Sequence, residues 1–346
     1  MYLMFSITQT VNYIKSEKHL RSIVATLEQN NIRSIRINLS KLSYQDTLSI
    51  IPIIDTVFSE KNEYTLYLDL PFPQNKSRIK EFAISSTNNI VNEGETYTVT
   101  NQPDCYNANK QNTFLLNADN LSGQIDDIIF YADGEGMFKV TSCNIDSIKM
   151  VALNTFLIRE GKAIMCGYKQ EPNDNIQNIV SRLEKIACSK NYLLSFVKNP
   201  KDVIDFRTYL KTSSKIIPKI ETQQAIENIF DIAEVSDALL VARGDLALNV
   251  SFEKLDEAIK RISSASQLNN INTIFCTDIL KNMKTRIIPE RSELFDLIYM
   301  KNNNCSEVVL PAMIHFSYDS TLGIRDEYLA SEELRNKIKV IQAILD

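Results

Sequence analysis

Lys215-Ile-Ile-Pro-Lys-Ile-Glu221 and, one helix-like stretch later, Asp237-Ala-Leu-Leu-Val-Ala-Arg-Gly-Asp245 decide how this chain is read. Each is a run apolar at most positions that ends in charge. Strands apolar on both faces are buried on both faces, as in a parallel sheet covered by helices. Runs of this kind fall at about 2–7, 33–38, 64–69, 191–196, 215–220, 237–242, 272–276 and 306–310. Helix-like stretches lie at 15–30, 43–60, 174–188, 200–212, 222–234, 252–269, 291–303 and, closing the chain, 325–344. Asn199-Pro200 reads as an N-cap followed by proline at the first helical position, and Ser251 as a second N-cap. Strands alternating with helices in this number predict an α/β fold, a (β/α)8 TIM barrel.

One interval breaks the alternation. Residues 71–170 contain Glu93-Gly-Glu-Thr-Tyr-Thr-Val-Thr100 and a long segment from Asp126 to Cys143, where polar and apolar residues alternate around Gly, Asn and Asp turns. Structureless loops of this length are rare, so the pattern predicts a small antiparallel β-barrel-like domain inserted after strand three. The expected domains are a barrel from 1–70 with 171–346, and an inserted β domain at 71–170.

Composition narrows the chemistry. The 346 residues suit two domains, or one barrel with an insertion. Thirty-eight basic against 43 acidic side chains leave a charge of −5, which gives no footprint for nucleic acid. No apolar run approaches the roughly 18 residues of a membrane span, and the opening residues lack the basic start of a secretory leader. Six cysteines without a CxxC pair fit a reducing, cytoplasmic setting. With His19 and His315 the only histidines, catalysis is expected to rest on Lys, Arg, Asp, Glu and Thr.

In such barrels working residues gather where strands end and βα loops begin. Those ends supply Arg36, Asn38 and Ser40; Asp69; Ser195 and Lys198; Lys219 and Glu221; Arg243, Gly244 and Asp245; and Thr277. Glu221 and Asp245 close neighbouring strands, so both could reach one Mg²⁺, which takes one or two carboxylates and completes its shell with water or substrate; equally, they could be helix-entry acids. Lys219 points to the same side as Glu221 and could stabilise charge on a phosphoryl group. Arg36, Asn38 and Ser40 share one face with Asp69 alongside, either as an anion and second-cation site or as a polar network closing the barrel mouth. Gly244 lets a substrate carboxylate approach backbone N–H groups.

Taken together, these segments resemble the pyruvate kinase family. Lys215 to Glu221 is similar to its I-I-x-K-I-E, and Val241-Ala-Arg-Gly-Asp-Leu246 to V-A-R-G-D-L. Arg36-Ile-Asn-Leu-Ser40 resembles R-L-N-F-S, Leu194-Ser-Phe-Val-Lys198 resembles S-F-V-R, and Ile274 to Met283 the Thr-containing segment. Arg291-Ser-Glu-Leu-Phe-Asp296 is similar to R-A-E-G-S-D. The resemblance implies Mg²⁺ (or Mn²⁺) on Glu221 and Asp245, shared with phosphoenolpyruvate or pyruvate. It implies K⁺ on Asn38, Ser40, Asp69 and the Leu70 carbonyl. Lys219 would stabilise the phosphoryl group, Arg36 contact it, and Thr277 sit near the carbon that gains a proton. Ser195, Lys198, Gly244, Asp245 and Thr277 would line the substrate, with ADP as phosphoryl acceptor.

Several positions depart from the family pattern. Its loop Lys after strand three is Pro71 and the following Arg is Lys76; the Gln of the Thr segment is Asp278; S-G-E-T after strand eight is Pro311-Ala-Met-Ile314. The basic end of the inserted domain becomes Gly161-Lys-Ala-Ile-Met-Cys166. One helix follows strand eight, with no counterpart of the family's C-terminal regulatory domain, which leaves a homodimer through the barrels open. The metal and enolpyruvate half is kept and the nucleotide half eroded. Three readings follow: a minimal pyruvate kinase; a divergent metal-enolate enzyme with another oxyacid or acceptor; and a non-catalytic binding protein on the same scaffold.

Overall fold

The computed structural model describes residues 2–6, 17–59, 61, 63–86, 88–106, 112–170, 172–211, 213–310, 316–319, 323–328 and 331–345. It contains two compact units, Met1–Pro73 with Pro172–Asp346, and Gln74–Glu171.

In the first unit eight parallel strands close into a barrel. They are β1 (Tyr2–Ser6), β2 (Ser34–Asn38), β3 (Thr65–Leu70), β4 (Ser189–Leu194), β5 (Lys215–Ile220), β6 (Ala238–Ala242), β7 (Asn272–Cys276) and β8 (Cys305–Leu310). Each pairs in parallel with its neighbours in sequence, and β8 pairs with β1. The helices are α1 (Glu17–Gln29), α2 (Tyr44–Phe58), α3 (Asn173–Leu183), α4 (Pro200–Arg207), α5 (Gln223–Glu227), α6 (Ile229–Glu234), α7 (Arg243–Val250), α8 (Leu255–Leu268), α9 (Arg291–Asn302) and α10 (Ser331–Leu345). The α/β barrel is thus the fold, as the alternation of apolar runs implies.

The period of two explains why the runs look apolar throughout. Ile35, Leu68, Leu194, Ile216, Val241, Phe275 and Val308 belong to the core shared with the helices. Met4, Tyr67, Leu193, Ile217, Leu240, Ile274 and Val309 form a separate cluster that fills the barrel interior. Beneath that apolar layer the Tyr67 hydroxyl donates to buried Glu307 at 2.9 Å. Above it, each inward series continues one step into polar side chains: Asp69 after Tyr67, Ser195 after Leu193, Lys219 after Ile217.

Local expectations fare unevenly. Asn199 and Pro200 do open α4, and Asp202 in its first turn accepts the N–H of Lys198 at 2.8 Å and of Asn199 at 3.2 Å. Ser251 is not an α-helical N-cap: it lies at φ 68°, precedes a 3-10 turn at Phe252–Lys254, and α8 begins only at Leu255. The helix expected at 222–234 is two helices broken at Asn228. The closing helix expected at 325–344 starts later, because Gly323–Tyr328 pairs antiparallel with Phe316–Asp319 and its backbone groups find partners there. Short α7, directly after β6, is absent from the sequence reading. Residues 311–315, with the altered loop at 311–314 and His315, lie outside the described residues.

The second unit is an eight-stranded sheet, antiparallel except where Thr96–Thr100 runs parallel to Thr113–Asn117. Asn75–Ala83 also pairs with Ala163–Lys169, which makes the sheet barrel-like. Its core holds stacked Tyr97 and Phe114, with Phe138 edge-on to both. Phe156 packs flat over Gly136, where a Cβ would meet the ring at 2.5 Å. Replacing Gly136 by Ala therefore overpacks this core, and urea unfolding of the variant is expected to show a loss of about 1–3 kcal/mol.

Candidate functional site

The polar layer at the C-terminal end of the barrel is organised by Asp69. Ser6 stands beside Arg36 and Asn38 beside Asp69 in the strand register, which lines up the ends of β1, β2 and β3. Asp69 is wholly buried. Its Oδ2 accepts from Arg36 Nη2 at 2.5 Å and Nε at 3.2 Å, while Oδ1 accepts from Ser195 Oγ at 3.3 Å and Lys219 Nζ at 3.5 Å. Arg36 also donates to Ser6 Oγ at 3.1 Å. Lys219 Nζ reaches Ser195 Oγ at 3.1 Å and Glu221 Oε1 at 3.0 Å. Glu221 Oε2 accepts the backbone N–H of Phe196 at 2.7 Å. Arg36, Asp69, Ser195, Lys219 and Glu221 thus form one connected network.

Asp245 joins that network by electrostatics. Ile220 pairs with Val241, so Glu221 and the turn carrying Asp245 leave the sheet at one level. Burial lowers the Lys219 pKa, but Asp69, Glu221 and Asp245 outweigh burial and the repulsion of Arg36, and the ammonium is held above its ordinary range. Burial alone would raise Asp69; Lys219 and Arg36 reverse this and hold it below 3.8. Arg36 is likewise raised, burial being overcome chiefly by Asp69. Asp69 and Glu221 are therefore buried with both cations charged, and half-buried Asp245 adds its field to that of the pair.

Gly244 and Thr277 meet closely on the neighbouring rim. A Cβ on Gly244 would lie 2.8 Å from Thr277 Cγ2, so this position has room only for glycine. Thr277 has φ 85°, a left-handed conformation, and its carbonyl accepts Arg243 Nη2 at 2.9 Å. Arg243 is held in turn by Asp296. Lys198 is anchored through its backbone, its N–H on Asp202 and its carbonyl taking Asn228 Nδ2 at 3.0 Å. Asp278 turns outward: its carboxylate pairs with Lys281 at 2.8 Å and is more than half exposed.

The two cation sites implied by resemblance fit unequally. Among the described residues no group of three or more His, Cys, Asp or Glu side chains could cage a metal. Mg²⁺ needs no such cage, since two carboxylates with substrate and water suffice, and Glu221 with Asp245 supplies that donor chemistry. For K⁺ the fit is poor. Asn38 Oδ1 already takes the Ser40 N–H at 3.1 Å and the Ser40 hydroxyl at 2.6 Å. The Leu70 carbonyl takes the N–H groups of Phe72 and Ser195 at 3.0 and 3.2 Å, and Asp69 is bound by two cations.

Sequence reading missed three participants. Ser6 ends β1 in a segment only faintly similar to any motif. Phe196, at φ 56°, aims its N–H at Glu221 from a left-handed conformation that nothing in an aromatic residue announces. Asp296, though part of a quoted motif, gained no role until its contact with Arg243 was visible.

Comparison with known proteins agrees with the barrel fold. The family profile for the pyruvate kinase barrel domain ("Pyruvate kinase, barrel domain") matches residues 7–303. The chain is 26% identical over 314 residues to a pyruvate kinase of Borreliella burgdorferi, covering 88% of this chain and 62% of that protein. It is 26% identical over 277 residues to one from Thermotoga maritima, covering 77% and 58%. One from Thermoplasma acidophilum is 26% identical over 300 residues, covering 83% and 51%. This chain thus spans between half and two thirds of the length of these relatives. Among the described residues no helix is long and apolar enough to cross a membrane. The chain belongs to the pyruvate kinase family.

Removing Asp69 should expose how strongly the site is wired. Asp69→Asn leaves Arg36 and Lys219 buried with less compensation, a loss of about 3–5 kcal/mol at neutral pH in urea unfolding. The sign with pH follows from the lowered pKa. Asp69 contributes stability above 3.8, lost as pH falls through its folded value. Acid titration of the wild type should therefore show a step below pH 3.8 that the variant lacks.

Proposed function

We propose that this member of the pyruvate kinase family is a Mg²⁺ (or Mn²⁺)-dependent phosphotransferase acting on phosphoenolpyruvate, transferring the phosphoryl group to ADP and protonating the enolate to pyruvate. The observation that carries this reading is the Lys219 ammonium, gripped by Asp69 and Glu221 on the inward rim of the barrel. Its raised pKa keeps it cationic at neutral pH, so it serves as a fixed positive charge for phosphoryl oxygens rather than as a base. Bound on Glu221 and Asp245, the divalent ion would neutralise substrate oxyanions. Arg36 adds a second cation whose planar fork suits phosphate, and Ser195, between Asp69 and Lys219, fixes the ammonium's direction. Thr277 stands over Gly244 where the enolate carbon would receive its proton. The K⁺ donor set is occupied by internal hydrogen bonds.

A second reading has its own support. Pro71 and Phe72, where the family pattern has a basic loop, are buried, and Phe72 packs on Phe206 and Tyr209 with ring centroids 5.2 and 6.0 Å apart. That segment has gone into the core and offers no cation to a nucleotide. It favours the same metal-enolate chemistry directed to another oxyacid or acceptor.

One assay separates these readings. Purified protein with Mg²⁺ and phosphoenolpyruvate is followed for pyruvate with and without ADP. Pyruvate that depends on ADP is the expected result, and Lys219→Met and Glu221→Gln should each lower the rate by about 10²–10³. ADP-independent pyruvate moves the conclusion to another acceptor. No product and no shift in melting temperature with Mg²⁺ and oxalate would leave only a binding scaffold.

A further inference from the structure

Thr277 holds a backbone conformation that a β-branched residue rarely adopts. Its φ is 85°, and Asp278 and Leu280 follow at 54° and 55°. Backbone of this kind persists only where the surroundings over-determine it. Contacts with α9 do so at both ends of the turn. At the first end the Thr277 carbonyl accepts Arg243 Nη2 at 2.9 Å, and Asp296 of α9 grips the same guanidinium through Nη1. At the second the Asn282 N–H donates to Glu293 Oε1 at 2.8 Å, while Glu293 Oε2 takes the Glu290 N–H at 2.9 Å. Between them Ile279 and Leu280 are buried. Arg243 also ties this turn to the acidic side of the site, since it opens α7 immediately before Gly244 and two residues before Asp245. Its Nε is buried without an acceptor. The guanidinium thus gives Nη1 to Asp296 and Nη2 to Thr277 while leaving a buried donor unmade, which costs free energy.

We infer that Arg243 and Asp296 are positioning residues for the protonation step. Asp296 orients Arg243, and Arg243 holds the left-handed Thr277 turn against Gly244, where the Thr277 side chain meets the enolate carbon. This role rests on the reaction proposed above, and the pair acts through Thr277 rather than on the substrate. In that step a water at the Thr277 hydroxyl gives up a proton. Its O–H bond breaks as a C–H bond of the pyruvate methyl group forms, and the hydroxide left behind takes a proton from solvent. Phosphoryl transfer precedes this step, is assigned to Lys219 and makes no use of the pair. A small displacement of a group placed for reaction is enough to slow it, so loss of the pair slows protonation selectively.

Two variants of the full chain test this. Asp296→Asn keeps the side-chain shape and removes its charge; Arg243→Lys keeps the charge but has one nitrogen for two partners. With Mg²⁺, phosphoenolpyruvate and ADP, kcat for pyruvate should fall about tenfold to hundredfold in each. KM for phosphoenolpyruvate should stay within about twofold of the wild type. The solvent deuterium isotope effect on kcat should rise, because protonation becomes rate-limiting, which a general loosening of the barrel does not produce. In the proteins free of metal and substrate, deuterium exchange read by mass spectrometry should quicken over residues 277–283 and stay unchanged over β3 and β5, which carry Asp69 and Lys219. Unchanged kcat in both variants overturns the inference. So does a fall in kcat with an unchanged isotope effect, or with unchanged exchange over 277–283. A wild type that forms no pyruvate overturns the reaction and this role with it, an outcome distinct from an active wild type with indifferent variants. Should Arg243→Lys fail to fold, Asp296→Asn, whose side chain is 30% exposed, decides alone.

Discussion

A single buried carboxylate sets the terms for the top of this barrel. Asp69 has no access to water, and a lone ionised group there would be costly. It is tolerable because Arg36 reaches it from β2, Lys219 reaches it across the barrel end from β5, and Ser195, just past β4, also donates to it. The dependence runs both ways, since neither cation could stay charged at that depth without an acid. Lys219 is shared further with Glu221, so its positive charge is held between two buried carboxylates. The network supports the fold and the site at once.

Much of this was legible because a strand has period two. Once the eight runs are taken as barrel strands, the parity of the apolar residues fixes which end residues look inward. Arg36, Asp69, Ser195, Lys219 and Glu221 all fall on that parity, and the structure joins them. The β-sheet insertion was legible for the opposite reason: its alternation of polar and apolar residues has no place in a strand buried on both faces.

What stayed hidden depends on backbone geometry that side-chain identity does not encode. Phe196, Thr277, Asp278 and Leu280 all have positive φ, and none is a glycine or asparagine. These turns aim an N–H at Glu221, bring Thr277 onto Gly244 and send the Asp278 carboxylate outward to Lys281. In the sequence Asp278 is a departure from the family's Gln; in the fold its carboxylate pairs with Lys281, three residues on. The break at Asn228 and the strand at Gly323–Tyr328 were missed likewise, because long-range packing overruled local helical pattern.

The pattern of retention and loss now has a physical form. Residues tied into the Asp69 network are mutually dependent, so a change at one strands a charge at another. Leu70, Pro71 and Phe72 follow Asp69 directly but have no such tie: the Leu70 carbonyl is absorbed by backbone N–H groups and the Phe72 ring by Phe206 and Tyr209. A loop that holds no charged partner can lower its energy by joining the core, and Phe72 does so. The charge balance on which this end of the barrel stands therefore constrains Arg36, Lys219 and Glu221 through Asp69, and leaves residues 70–72 free to pack as the core requires.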